Sequence, residues 1–66
     1  MAEGSLPDNV ETCLGRAIEA LILAALSLGD AARLSQDRPT RDFYTAEALR
    51  LLAAVRDLKA GRRAAA

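Results

Sequence analysis

Apolar residues in the first half of the chain recur at alternating intervals of four and three, the spacing of one face of an α-helix. This spacing predicts a first helix over about residues 9–36, with its N-cap at Asp8, or at Ser5 as the alternative. Gly29 followed by Asp30 is a helix-ending signal, but the apolar spacing continues beyond them and favours one unbroken helix. We expect the following row to face a second helix: Val10, Leu14, Ala17, Leu21, Ala24, Leu28 and Ala31.

A second helix is predicted after the strongest break in the pattern, at Pro39. Proline disfavours helical geometry at the residue before it, and Thr40 is a suitable N-cap. We predict a turn at residues 37–40 and a helix over about residues 41–60, with Gly61 just past its end. The apolar row of this helix consists of Tyr44, Ala48, Leu51, Leu52, Val55 and Leu58.

The middle of the first helix, residues 18–28, is apolar on nearly every side. At about 100° per residue, Leu23 and Leu26 fall in the polar sector of the helix. A helix that is apolar all round is buried all round, so one neighbouring helix is not enough to cover it. Phe43 points away from the apolar row of the second helix and is a candidate contact of its own. The residues that we predict to form a second interface are Ile18, Ile22, Leu23, Leu26 and Phe43.

These patterns predict an all-α fold, a two-helix antiparallel hairpin that associates into a four-helix bundle. We expect residues 1–8 to be a flexible lead and residues 62–66 a frayed tail. A chain of 66 residues is near the size at which one small domain no longer buries enough apolar surface alone. Because most soluble oligomers are symmetric, the simplest partner is a second copy, which gives a homodimer.

Composition agrees with a helical protein, since alanine (15) and leucine (11) supply 26 of the 66 residues. Nine basic residues balance nine acidic ones, but residues 1–37 carry a net charge of −4 and residues 38–66 a net charge of +4. The start of the chain is acidic, where a secretion signal is basic. The longest apolar run, Ala20 to Leu28, is too short to cross a membrane. We therefore expect a cytoplasmic protein with no membrane partner.

Few residues are suited to catalysis or metal binding. The absence of histidine excludes a histidine-based triad and an imidazole metal site, and the single cysteine excludes an intrachain disulfide. Cys13 has no histidine to act as its base, so we expect a packing role for it. Glu47, which borders the apolar face of the second helix, is expected either to extend its carboxylate past that face into solvent or to pair with Arg50. We predict no catalytic residue, no cofactor and no metal, and hence no enzyme.

The function that fits these features is that of a small helical interaction protein, an adaptor, accessory subunit or inhibitor that acts through its helix faces. One alternative is a small regulator that binds nucleic acid through the outer face of the second helix, with Arg50 and Arg56 as the anion contacts. Nucleic acid is the weaker expectation, because basic residues are not densely clustered and stacking aromatics are few. Another alternative is one half of a hetero-complex, a co-chaperone-like hairpin whose exposed leucines clasp a helix of another protein.

Overall fold

The protein is a hairpin of two long α-helices. The computed structural model describes the backbone of residues 5–65 and the side chains of residues 10–64. Helix α1 comprises Ser5–Leu34 and helix α2 comprises Arg38–Ala65, and the described part of the chain contains no strand. The predicted all-α hairpin is confirmed.

The bounds of both helices differ from the predicted ones. Helix α1 begins at Ser5, so residues 5–8 are helical rather than part of a lead, and residues 1–4 lie outside the described part. It also passes through Gly29 without a break, as favoured above. Helix α2 continues past Gly61 to Ala65, because no glycine there takes the positive φ that ends many helices. The predicted tail is therefore helical, apart from residue 66, which is not described.

The turn between the helices is capped on both sides. At the end of α1, the Ala31 carbonyl oxygen accepts the Ser35 backbone N–H at 3.0 Å and also the Ser35 hydroxyl at 2.7 Å. At the start of α2, the Asp37 carboxylate accepts the Thr40 backbone N–H at 3.0 Å and also the Thr40 hydroxyl. Asp37 is thus the N-cap, and the prediction of Thr40 was wrong. Pro39 is accommodated because the first turn of a helix needs no N–H from it.

Five residues form the buried seam between the helices. In α1 they are Ile18, Ala25 and Ala32, and in α2 they are Ala48 and Val55. The helices are antiparallel, and Arg62 Nη1 lies 3.1 Å from Glu11 Oε1. This ion pair is near the open end of the hairpin, the end opposite the turn. Residues whose numbers add up to about 73 therefore lie level, which places Ile18 beside Val55 and Ala25 beside Ala48.

The seam of α2 agrees with the predicted row, whereas the seam of α1 is rotated. The half-buried leucines at 14, 21 and 28 belong to both the predicted row and the observed seam. The residues between them in the seam are 18, 25 and 32, one later than the predicted 17, 24 and 31. Ala17 and Ala24 are consequently exposed, and Val10 is 64% exposed. A one-residue shift at alternate positions turns the helix by about 50°. This rotation lets the larger Ile18 enter the seam.

The hairpin is a thin, extended slab of 51 × 26 × 10 Å. Its radius of gyration is 15.7 Å, against about 11 Å for a compact chain of this length. Its accessible surface is 5018 Å², against about 4,000 Å² for a compact monomer of 7.0 kDa. Each helix therefore has one covered face, and the two broad faces of the slab have no second layer of helices.

Candidate protein interface

Large apolar side chains remain exposed on both helices. Their exposed fractions run from 46% to 81%, and none of the described large side chains is fully buried. The exposed set consists of Val10, Leu23, Leu26, Leu34, Phe43, Leu49 and Leu52. Single exposed leucines are ordinary on a protein surface, so the informative feature is a group of them on one face.

One broad face of the hairpin carries such a group, which we call the leucine patch: Ile22, Leu26, Leu49 and Leu52. Ile22 and Leu26 follow Ile18 by about 40° and 80° round α1, and Leu52 and Leu49 follow Ala48 by about 40° and 100° round α2. In an antiparallel pair, residues displaced from the seam by the same positive angle, counted in the direction of increasing residue number, lie on the same side of both helices. The four residues also lie within about 8 Å along the hairpin axis, because their levels differ by few residues.

The exposed fractions confirm that the patch is uncovered. Leu26 is 62% exposed, Leu49 is 61% exposed and Leu52 is 46% exposed, while Ile22 is half-buried. We call the side of the hairpin that carries this patch the leucine face. It takes large side chains from both helices, which makes it the strongest candidate for an interface.

Two glycines of α1 lie in line with the patch. Gly15 and Gly29 are seven residues before and after Ile22, so they share its side of the helix to within about 20°. A Cβ added at either position would meet no atom within 4 Å. Glycine within a helix is less favourable than alanine by about 0.5–1 kcal/mol. Nothing within the hairpin therefore accounts for glycine at these two positions.

Charged residues border the leucine patch at both ends. Towards the open end of the hairpin lie Glu19 on α1 and Arg56 on α2, which are nearly level with each other. Towards the turn lie Arg33 on α1 and Asp42 on α2. Arg33 is paired with the nearby Asp30, and Asp42 with Arg38 at 3.8 Å. Among the ion pairs of the described residues, none involves Glu19 or Arg56.

The opposite broad face is built from smaller residues, and we call it the alanine face. Its part of α1 consists of Val10, Ala17, Ala24 and Ala31. An open groove of about 520 Å³ at its open end is lined only by Val10, Cys13, Leu14 and Ala17. Its part of α2 contains Glu47, whose carboxylate lies 3.5 Å from Arg50 Nη2 as expected from the sequence. On α2 the same side also carries Ala54, Leu58 and the 59% exposed Phe43, so the alanine face is largely apolar on both helices and includes the Glu47–Arg50 pair.

The predicted interface residues do not form one surface. Ile18 is 6% exposed and belongs to the seam of the hairpin, so it is not available to a second partner. Ile22 and Leu26 lie in the leucine patch. Leu23 lies about 140° from Ile18, on the outer edge of α1. Phe43 packs beside Tyr44, with ring centroids 5.7 Å apart, near the turn and away from the patch.

Sequence reasoning missed Leu49 as a patch residue and gave Leu52 only a supporting role in the seam. Leu49 follows the seam residue Ala48 directly, and Leu52 comes three residues later on the same side of α2. This i, i+3 pair of leucines outside the main row was the available signal. Its meaning depends on Leu26, which only the hairpin brings to the same face.

The candidate chemical sites stay separate. Arg50 and Arg56 are six residues apart in α2 and point about 120° away from each other, so they do not form one anion site. Cys13 is an exposed free thiol on the alanine face. Within the described residues, no group of three acidic, cysteine or histidine side chains could hold a metal ion. The hydroxyl of Thr40, and then its backbone N–H, hold the pKa of Asp37 below its ordinary value of 3.8.

Helix α1 also meets the length and composition requirements of a membrane-spanning helix. The stretch Val10–Leu34 has 25 residues and contains an 18-residue window with a mean hydropathy of 1.5, of which 11% is buried in the hairpin. The expectation from the sequence counted only the run from Ala20 to Leu28, which Ser27 alone interrupts, and overlooked this longer stretch. The same property suits a helix that is covered by other protein on several sides.

Comparison of the chain with family models, with curated proteins and with solved structures finds no significant match in any of the three.

Proposed function

We propose that this protein is a small, non-enzymatic interaction protein that associates with a second copy through the leucine patch. Two hairpins packed leucine face to leucine face make a four-helix bundle, in which each helix has two neighbours. The observation that carries this proposal is the exposure of Leu26, Leu49 and Leu52 on one broad face. The assembled bundle would then act on other proteins as an adaptor, accessory subunit or inhibitor.

The amount of exposed surface supports a second layer. The hairpin exposes roughly 1,000 Å² more than a compact chain of its mass would. A stable protein–protein interface covers about 800 Å² on each partner. One interface of ordinary size therefore accounts for the excess.

The composition of the two faces supports the leucine face as the contact. A second layer on the leucine face would cover leucines from both helices, and burial of a whole leucine is worth about 1.5–3 kcal/mol. A second layer on the alanine face would cover the smaller side chains of α1 together with Ala54 and Leu58 of α2, which are already half-buried. The larger exposed leucines therefore make the leucine face the stronger interface.

A protein partner also fits α1 better than a lipid bilayer does. Arg16 and Glu19 lie inside the apolar stretch of α1, and a charged residue at the centre of a membrane helix costs about 2.5–3.5 kcal/mol. In addition, α2 carries seven basic and three acidic residues and is packed along α1. Inserting the hairpin would bring those charges to the membrane as well.

Light scattering of the full chain during size-exclusion chromatography, at micromolar concentrations, tests the proposal. We expect a mass of twice 7.0 kDa, and half of that mass for the variant L26S/L49S. A wild-type chain that remains at 7.0 kDa would contradict self-association. Two separate assays test the alternatives. Co-sedimentation of the chain with phospholipid vesicles would point to a membrane, and retention of the chain on a phosphate resin would point to nucleic acid.

A further inference from the structure

We infer that the second copy docks with its two-fold axis parallel to the helices, so that α1 of one chain lies over α2 of the other, in register. This inference rests on the proposed self-association and adds the orientation of the partner. Two face-to-face arrangements bring the leucine patches together. The other arrangement has its two-fold axis across the helices and stacks α1 on α1 and α2 on α2.

The net charges of the helices favour the arrangement in which α1 of one copy packs on α2 of the other. Helix α1 carries four acidic and two basic residues, whereas α2 carries three acidic and seven basic residues. Packing α1 on the α1 of a second copy would bring like net charges together, and so would packing α2 on α2. Complementary charge across an interface selects orientation more than it adds affinity.

The charges that border the patch are complementary at both of its ends in this arrangement. A two-fold axis along the helices keeps every residue at its own level, so Glu19 of one copy comes opposite Arg56 of the other. At the other end of the patch, Arg33 comes opposite Asp42 of the second copy. With the axis across the helices, Arg56 would still approach Asp42 of the second copy, but Glu19 would approach Asp30, an acidic residue that is paired with Arg33.

The glycines fit the same arrangement. Opposite Gly15 and Gly29, the second copy would present Lys59 and Thr45, respectively, from the leucine-face side of its α2. The open space above Gly15 and Gly29 lets those side chains and their helix come close to α1. A close approach by the second copy thus supplies the reason for glycine that the single hairpin lacks.

Reversal of one ion pair tests the orientation. The variants E19R and R56E each place like charges opposite each other in the proposed arrangement, and the double variant E19R/R56E restores opposite charges. We expect each single variant to weaken self-association by about five- to tenfold, since each pair occurs twice per dimer. The double variant should return to within about twofold of the wild type, and high salt should reduce all three differences.

The outcomes separate the orientation from the proposed function. Both side chains are exposed, so circular dichroism of the dilute variants should show an unchanged helix content. A wild-type chain that dimerises, together with a double variant as weak as R56E, would overturn the orientation and leave self-association intact. A tighter dimer of E19R alone would support the arrangement that packs α1 on α1, because the change removes the repulsion between Glu19 and Asp30 of the second copy. A wild-type chain that stays monomeric would overturn both proposals.

Discussion

The leucine face and the alanine face are built from the same two helices, yet they differ in what they leave exposed. The leucine face combines the exposed Leu26 of α1 with the exposed Leu49 and Leu52 of α2. The alanine face combines small residues of α1 with the half-buried Ala54 and Leu58 and the Glu47–Arg50 ion pair of α2. Association through the leucine face would bury large side chains from both helices at once. The difference lies mainly in α2, because α1 is apolar towards both sides.

The largest expected effect comes from a leucine in the patch compared with one outside it. Leu26 and Leu23 have similar exposed fractions, 62% and 64%, and lie three residues apart in α1. L26S removes apolar contact from both copies, which we expect to cost about 2–4 kcal/mol per dimer, or at least about a thirtyfold rise in Kd. Concentration-dependent sedimentation measures this Kd.

L23S is the matched control for that comparison. It makes the same chemical change in the same helix, on the outer edge, and we expect Kd to change by less than about threefold. Equal effects of L26S and L23S would mean that the leucine face is not the contact.

A smaller effect is expected from filling the open space above a glycine. G29L places a large side chain between α1 and the second copy, and we expect a Kd about tenfold higher or more. The control is G61L, which fills an equally open position at the far end of α2, on the other side of the hairpin. Its Kd should stay within about twofold of the wild type.

The isolated hairpin should respond to glycine replacement in the opposite way. In dilute solution G29A should raise the melting temperature, because alanine is favoured in a helix by about 0.5–1 kcal/mol and meets no atom of the hairpin there. A lower melting temperature of the dilute G29A variant would show that the hairpin itself needs this glycine. The explanation by a second copy would then lose its basis.

The smallest expected effect is at the turn, which holds both faces in register. D37A removes the cap of α2 and should lower the melting temperature slightly, while D37N keeps a capping side chain and should change it less. Because the pKa of Asp37 is depressed in the hairpin, its stabilising contribution is complete at neutral pH. That contribution is lost as the pH falls from about 3.8 through the depressed pKa.

A melting temperature that falls below pH 4 for the wild type and remains flatter for D37N would support this role of the cap. An identical pH dependence of the wild type and D37N would assign the effect to other carboxylates. Neither variant should change Kd by more than about twofold, because Asp37 lies on neither broad face.

Much of the fold could be read from the sequence, and the rotation of α1 could not. Helix α2 has one apolar row between charged flanks, so its seam residues Ala48 and Val55 were identified correctly. Helix α1 has apolar residues on both sides of its seam, so the spacing alone could not choose between Ala17 and Ile18. The choice depends on how the α1 side chains pack against α2, which is a tertiary property.

The sequence predicted that an apolar surface would remain exposed, but it did not predict which residues form that surface. An apolar surplus around the middle of α1 indicated a second interface and included Ile22 and Leu26. The assignment of Ile18 to that interface was wrong because Ile18 is needed in the seam, where it is 6% exposed. Leu49 and Leu52 could not be joined to Leu26 before the antiparallel register of the hairpin was known.

If a second copy covers the leucine patch, leucine methyl groups of different chains are in contact. In an equal mixture of ¹³C-labelled and unlabelled protein, isotope-filtered nuclear Overhauser spectra report only contacts between chains. We expect cross-peaks between patch leucines of different chains, and between Leu26 in one chain and Leu49 in the other where α1 packs on α2. A mixture that is dimeric by mass but shows no cross-peak between any patch leucines of different chains, or shows contacts between the alanine faces instead, would mean that a second copy does not cover the leucine patch.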